Sequence, residues 1–216
     1  MRKITIVQIL IFEGMLFFSI AVGVAVSSWV LGLSLFSGFW LSATAFVFYL
    51  CAIIVFRLFQ RLTPLPAGDI AVASRTESIY HVYLLHFLLL FYPVMRSGFV
   101  PVPLLRVFYL LLGARLGANT YSAGILYDPL FVRLGDNCIV GQGALVIPHA
   151  IEGMHLSHQP IHMGNNVTIG AYAVILQGCN IGNNVVIGIG SVVSKGTQIP
   201  DGEVWAGVPA RCIRRS

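Results

Sequence analysis

Seven apolar residues, Met163, Ile169, Ile175, Ile181, Ile187, Val193 and Ile199, stand six positions apart without a slip, and Gly164, Gly170, Gly182 and Gly188 follow four of them. Two positions ahead of most beats sits a small or β-branched residue: Val167, Ala173, Cys179, Val185, Ser191 or Thr197. The same phase appears upstream at Leu134-Gly135, Val140-Gly141 and Val146. A period of six is too short for a helical repeat and too regular for a run of hairpins. Each hexad therefore reads as one short strand and one corner of a solenoid, three hexads to a coil, with the beats filling the axis and Gly or Asn supplying the positive φ that corners need. Of the 22 glycines, 15 lie from Ala114 onward, which sets the start of this region.

Between Val146 and Met163 the period is lost, and four of the six histidines, His149, His155, His158 and His162, fall in the gap. A solenoid that keeps register everywhere else and then extrudes a segment marks a place where side chains project without disturbing the stack. Histidine takes up a proton near neutral pH, so general-base chemistry belongs here. His155, His158 and His162 also read as H-x2-H-x3-H, but this spacing matches no helical zinc motif and no Cys lies near it. No metal is expected, and these three are read as capping the segment or lining a substrate pocket.

The first half of the chain is of another kind. Ile4 to Phe56 holds a single charge, Glu13, in a protein that is 57% hydrophobic and 10% charged over 216 residues, against about a quarter charged in soluble domains. The excess excludes disorder and an ordinary soluble fold. Two crossings of a membrane are expected, near Gly14 to Leu33 and Leu35 to Phe56. Arg2, Lys3, Arg57 and Arg61 flank their outer ends and no cation lies in the turn, so both ends face the cytoplasm. Thr63 to Asp69, with Pro64, Pro66 and Gly68, ends this hairpin. Ser74-Arg75-Thr76-Glu77 is a capping box that starts an apolar helix expected to stop at Pro93 and, at about seventeen residues, to lie in the membrane interface, a third crossing being the alternative. His81 and His86 on it read as packing residues. Pro103 to Leu112 forms a shorter apolar helix beside it, ending at Gly113. The division is thus 1–62 transmembrane hairpin, 63–113 interfacial helices and 114–216 solenoid. A net charge of +5 spread without a basic, aromatic-interleaved stripe points to a membrane-side surface and to no nucleic acid. Cys51, Cys138, Cys179 and Cys212 show no framework spacing and read as reduced, buried thiols.

Leu134-Gly135-Asp136-Asn137, the hexads from Met163, Ser191-Val192-Val193-Ser194-Lys195 and the closing Ala206-Gly207-Val208-Pro209-Ala210-Arg211 together resemble the hexapeptide-repeat acyltransferases, whose fold is a left-handed parallel β-helix. More narrowly, Leu112 to Gly117, Asp128 to Gly135, and His149 and Glu152 followed by Met163-Gly164 are similar to the membrane-attached acyltransferase domain at the end of poly-lysine synthetases. The resemblance implies a mainly β chain whose solenoid is that left-handed β-helix, preceded by the membrane hairpin. It implies a homotrimer that transfers an acyl group, most simply acetyl, from acyl-CoA to an acceptor hydroxyl, with His149 as the general base. Asp128 or Glu152 would hold the other ring nitrogen. Asp128, eighteen positions before Val146, is expected one coil beneath His149; an Asx turn with Pro129 is its structural alternative. For the CoA, the resemblance implies backbone contacts at Ala171, Ile189 and Ser194 and phosphate contacts from Lys195 and Arg211. The membrane anchor implies a cytoplasm-facing catalyst working on a membrane-proximal acceptor such as a lipid-linked sugar or an envelope glycan precursor. A non-catalytic trimeric assembly module, and a zinc lyase of the γ-carbonic anhydrase kind on the same fold, are the two competing readings.

Overall fold

The computed structural model describes residues 3–35 and 37–215; Arg2 of the flanking charges and Phe36 of the connecting turn lie outside them. The described residues divide into two compact units, a helical one within 3–65 and 73–90, and one formed by 66–72 and 91–215.

In the helical unit, α1 (Ile6–Ala25) runs on through a π-helical turn, Val26–Val30, and α2 spans Gly38–Leu62. Both differ from the sequence expectation, since α1 starts earlier and α2 ends later. Local capping explains the starts: the Thr5 N–H donates to Gln8 Oε1 at 2.8 Å, and the Trp40 N–H donates to Ser37 Oγ at 3.1 Å. Bilayer thickness bounds the length of a crossing, but caps decide where its helix begins. The two helices pack at Gly23, where a methyl would stand 3.0 Å from Thr44 O, and the Trp40 indole N–H donates to Ser28 Oγ at 2.8 Å. α3 (Arg75–His86) opens with the expected cap, Glu77 N–H to Ser74 Oγ at 3.1 Å. It does not stop at Pro93. A π-helical turn, Phe87–Phe91, leads into α4 (Tyr92–Arg96), where Pro93 falls in the first turn and its missing N–H costs nothing. Ile6–Val30, Gly38–Leu62 and Arg75–Arg96 are each long and apolar enough to cross a membrane. His81 bonds Gln8 Oε1 at 3.0 Å, and the His86 ring donates to Val82 O and packs edge-on to Phe12, so both are packing residues.

The second unit is a three-faced parallel β-helix. The first face stacks Arg115–Leu116, Val132–Leu134, Ile161–Met163, Asn180–Ile181 and Gln198–Ile199. The second stacks Tyr121–Ser122, Ile139–Val140, Thr168–Ile169, Val186–Ile187 and Glu203–Gly207, the last paired antiparallel with Ala210–Arg215. The third stacks Ile125–Leu126, Leu145–Ile147, Val174–Leu176 and Val192–Val193. All seven hexad beats from Met163 to Ile199 are buried on the axis. At the corner between the first two faces a side-chain ladder climbs the helix: the Asp136 N–H donates to Asn165 Oδ1, Asn165 N–H to Asn183 Oδ1 and Asn183 N–H to Asp201 Oδ1, each at 2.8 Å. Asn119, Asn137, Asn166 and Asn184 carry the positive φ there. The glycines after the beats have a different reason from the one expected, which is room. A methyl at Gly182 would lie 2.7 Å from Asp201 N and 2.9 Å from Pro200 C. Gly182→Ala is therefore expected to destabilise the β-helix by about 1–3 kcal/mol, the usual cost of overpacking, read as a lowered melting temperature; an unchanged one would mean that the next coil yields freely.

α5 (Val102–Leu112) ends at Gly113 in the left-handed region, as the sequence predicts, but packs on the first coil. The Tyr109 hydroxyl donates to Gly124 O at 2.9 Å, and the Arg106 guanidinium donates to Thr120 O and Gly117 O. Cys51, Cys138 and Cys179 are buried free thiols, while Cys212 is half-buried, a correction to the expectation for that residue.

Candidate active site

After Ile147 the chain leaves the third face. His149–Glu152 and His155–His158 form an antiparallel pair turned at Gly153, whose φ is +61°, and Gly68–Ile70 joins as a third strand in the register Gly68↔His158. Across this excursion stacked positions are 29 residues apart instead of 18. What reads in sequence as an extruded loop is thus a small sheet, and Gly68–Ile70 is an edge strand that no local pattern announces.

The sheet sets His149 beside Asp128. His149 Nδ1–H donates to Asp128 Oδ2, which fixes the tautomer and leaves Nε2 with its lone pair. The Asp128 side chain is 2% exposed and that of His149 22%, so the carboxylate is sealed beneath a ring that still meets solvent. Leu126, not Asp128, stacks under Val146, two residues from the expected register. Asp128 arrives by another route. It adopts a left-handed conformation, φ 41° and ψ 64°, at the head of the 3-10 turn Pro129–Phe131, and only its backbone carbonyl serves the turn, accepting from Phe131 N–H at 2.8 Å. Its side chain is free for the histidine rather than spent on an Asx turn. Burial pushes the His149 pKa down, but the hydrogen bond and charge of Asp128 outweigh it and the net shift is upward.

Three neighbours went unsuspected in the sequence. The Tyr127 ring stands edge-on to His149 at 6.0 Å, and its hydroxyl bonds that of Tyr92 at 3.3 Å. Phe131 stacks on the buried His158 at 4.9 Å, and His158 lies 6.2 Å from the His149 ring. Burial, the largest influence, lowers the His158 pKa, so this ring stays neutral beside the dyad. The one signal for Tyr127 and Phe131 was their place around Asp128-Pro129.

Glu152 does not reach His149. It pairs with Lys195 at 2.5 Å, both side chains largely in solvent at 64% and 43% exposure, where such a pair contributes little. Ser194 and Lys195 lie at the corner between the third and first faces; Ala171 and Ile189 stack at the corner between the second and third, where Gly190 N–H donates to Ala171 O at 2.9 Å. These four residues therefore occupy the two edges that border the third face. Arg211 lies apart, on the terminal strand Ala210–Arg215. His155 is exposed, and His162 lines an open depression of about 430 Å³ with Gln159 and Asn180. The three histidines of the H-x2-H-x3-H run do not converge, and among the described residues no group of three or more His, Cys, Asp or Glu is placed to hold a metal.

Residues 160–199 match the family described as bacterial transferase hexapeptide (six repeats). The delta-poly-L-ornithine synthetase of Acinetobacter baumannii (strain AB307-0294) is 28% identical over 143 residues, which is 66% of this chain but a tenth of that protein. Among solved structures, a hexapeptide-repeat acetyltransferase from Vibrio cholerae is 25% identical with a TM-score of 0.44, over 48% of this chain and 62% of its own. A galactoside acetyltransferase in complex with coenzyme A is 35% identical with a TM-score of 0.43, over 48% and 55%. The chain thus spans less than two thirds of each of these relatives. Residues 160–199 thus carry the repeat of the bacterial hexapeptide transferases.

Proposed function

We propose that this chain is an acyl-CoA-dependent O-acyltransferase, with acetyl-CoA as donor, anchored in the cytoplasmic membrane. The observation that carries the reading is the Asp128–His149 pair at the break of a transferase repeat. His149 Nε2 takes the proton of an acceptor hydroxyl as its oxygen attacks the thioester carbonyl. A C–O bond forms, the C–S bond breaks, and the proton passes from the imidazolium to the departing thiolate, which leaves as CoA. Asp128 holds the ring and stabilises the imidazolium. CoA lies along the third face, with Ala171 and Ile189 on one edge, Ser194 and Lys195 on the other, and Arg211 at a phosphate. Glu152, paired with Lys195 in solvent, takes no part in orienting the base. The β-helix is left-handed and assembles as a homotrimer, the arrangement that the family resemblance implies.

Residues 1–62 serve as a two-crossing anchor, 63–113 as interfacial helices and 114–216 as the catalytic domain. Arg75–Arg96 lies in the interface despite its length. A crossing would place Ile70 and Tyr92 on opposite sides of a ~30 Å hydrocarbon core, whereas Gly68–Ile70 pairs with the His158 strand and Tyr92 bonds Tyr127 within one unit. The β-helix then faces the cytoplasm, where acyl-CoA is found, and the acceptor is membrane-proximal, such as a lipid-linked or envelope glycan precursor. The test incubates the purified full chain with radiolabelled acetyl-CoA and a membrane extract of the source organism. Label is expected in an acceptor with an equimolar release of CoA thiol; thiol release with no labelled acceptor, or neither, overturns acyl transfer.

A further inference from the structure

A cavity of about 660 Å³ lies on the third face at its first two coils, floored by Ile125 and Leu145 and roofed by the segment from α4 to the start of α5. Tyr127 is a wall of this cavity and, through the same ring, the edge-on neighbour of His149. Its far wall, at the corner between the second and third faces, carries Gln142 and Tyr172, and Tyr172 adjoins Ala171. One face thus presents the cavity at its first coils and the proposed CoA positions at its later ones, and His149 stands on the other side of the Tyr127 ring from the cavity's lining. Arg96 is the one charged residue in the lining, and among the described residues no carboxylate pairs with it. The rest of the roof is apolar, and beside it Phe99 is 91% exposed, while Leu104, Val107 and Leu111 face outward from α5. That outer surface suits an acceptor approaching along a membrane.

We infer that this cavity is the acceptor site and that the acceptor is a hydroxyl-bearing amphiphile with an oxyanion, phosphate or carboxylate, held by Arg96. A guanidinium grips either anion through paired N–H donors, Gln142 and the tyrosine hydroxyls bond the acceptor's own hydroxyls, and the apolar roof covers the start of its tail. The reacting hydroxyl sits at the Tyr127 wall, where it loses its proton to His149 as it gains the acyl group. The inference rests on the acyl-transfer reading above.

The test uses the full chain with radiolabelled acetyl-CoA and the same membrane extract. Label is expected in a product that partitions into butanol and binds an anion exchanger; phosphatase abolishes that retention if the anion is phosphate, and methyl esterification does so if it is carboxylate. Arg96→Gln is expected to cut labelling at least tenfold, and Ala123→Trp, which fills the cavity from an exposed position on its rim, to block it. Both variants are expected to keep the wild-type acetyl-CoA isotherm. A neutral or water-soluble product, or wild-type labelling by either variant, overturns the acceptor assignment while leaving the transferase standing. Failure of the wild type to label any product brings down the transferase itself.

Discussion

His149→Ala is expected to lower acyl transfer by ~10²- to 10⁴-fold, the usual worth of a positioned general base, while acetyl-CoA binding and the fold survive. The variant removes the ring that Asp128 orients and that Tyr127 flanks, and no neighbour is placed to replace it. Glu152 is engaged with Lys195. His158 is buried against Phe131 and its pKa is lowered, which makes it a weaker base than His149 as well as a less accessible one. The deciding measurement is single-turnover transfer by alanine variants at His149, His155, His158 and His162, each checked for acetyl-CoA binding. Near-full activity in His149→Ala would move the base elsewhere in the hairpin.

Asp128→Asn is expected to cost on the order of 10²-fold, because the amide can present either an oxygen or an NH₂ to Nδ1 and no longer enforces the tautomer that leaves Nε2 free. The pH profile separates this from simple damage. The base works only when neutral, so the wild-type rate rises with pH through a pKa above the ordinary 6.5 of histidine, the direction in which Asp128 shifts it. Without that carboxylate the hydrogen bond and charge that raise the pKa are gone and burial, which lowers it, remains. The limb is therefore expected to move to lower pH. A profile that falls in height and keeps its midpoint would leave Asp128 a structural residue only.

The axis of the β-helix was legible because burial imposes a period: a residue of the wrong size at Ile175 or Ile187 would meet other coils at once, so the beats repeat. The glycines were legible as a pattern but not as a cause, since the tight neighbour of Gly182 is Asp201, a full coil away. His149 announced itself by standing where the period stops. Asp128, one of two carboxylates expected at the ring, does not stack beneath Val146, where Leu126 stands; a left-handed turn brings it to the ring instead. Tyr92, Tyr127 and Arg96 left no trace in sequence because what joins them is a hydroxyl contact across 35 positions and a shared cavity, neither of which has a local period. The strand Gly68–Ile70 was hidden for the same reason: between two prolines and a capping box it reads as linker, and only its partner 90 residues later makes it a strand.

That strand changes what counts as a separable enzyme. Cutting the chain at Ala114, where the glycine-rich repeat begins, would keep every coil and the Asp128–His149 pair, yet it would strip Gly68–Ile70 from His155–His158 and bare the N–H and C=O groups of the sheet that carries His149. An exposed strand edge of this kind recruits whatever backbone it meets, including another copy of itself. The sheet that carries His149 is thus finished from outside the repeat, and any shortened version of this protein has to bring Gly68–Ile70 with it.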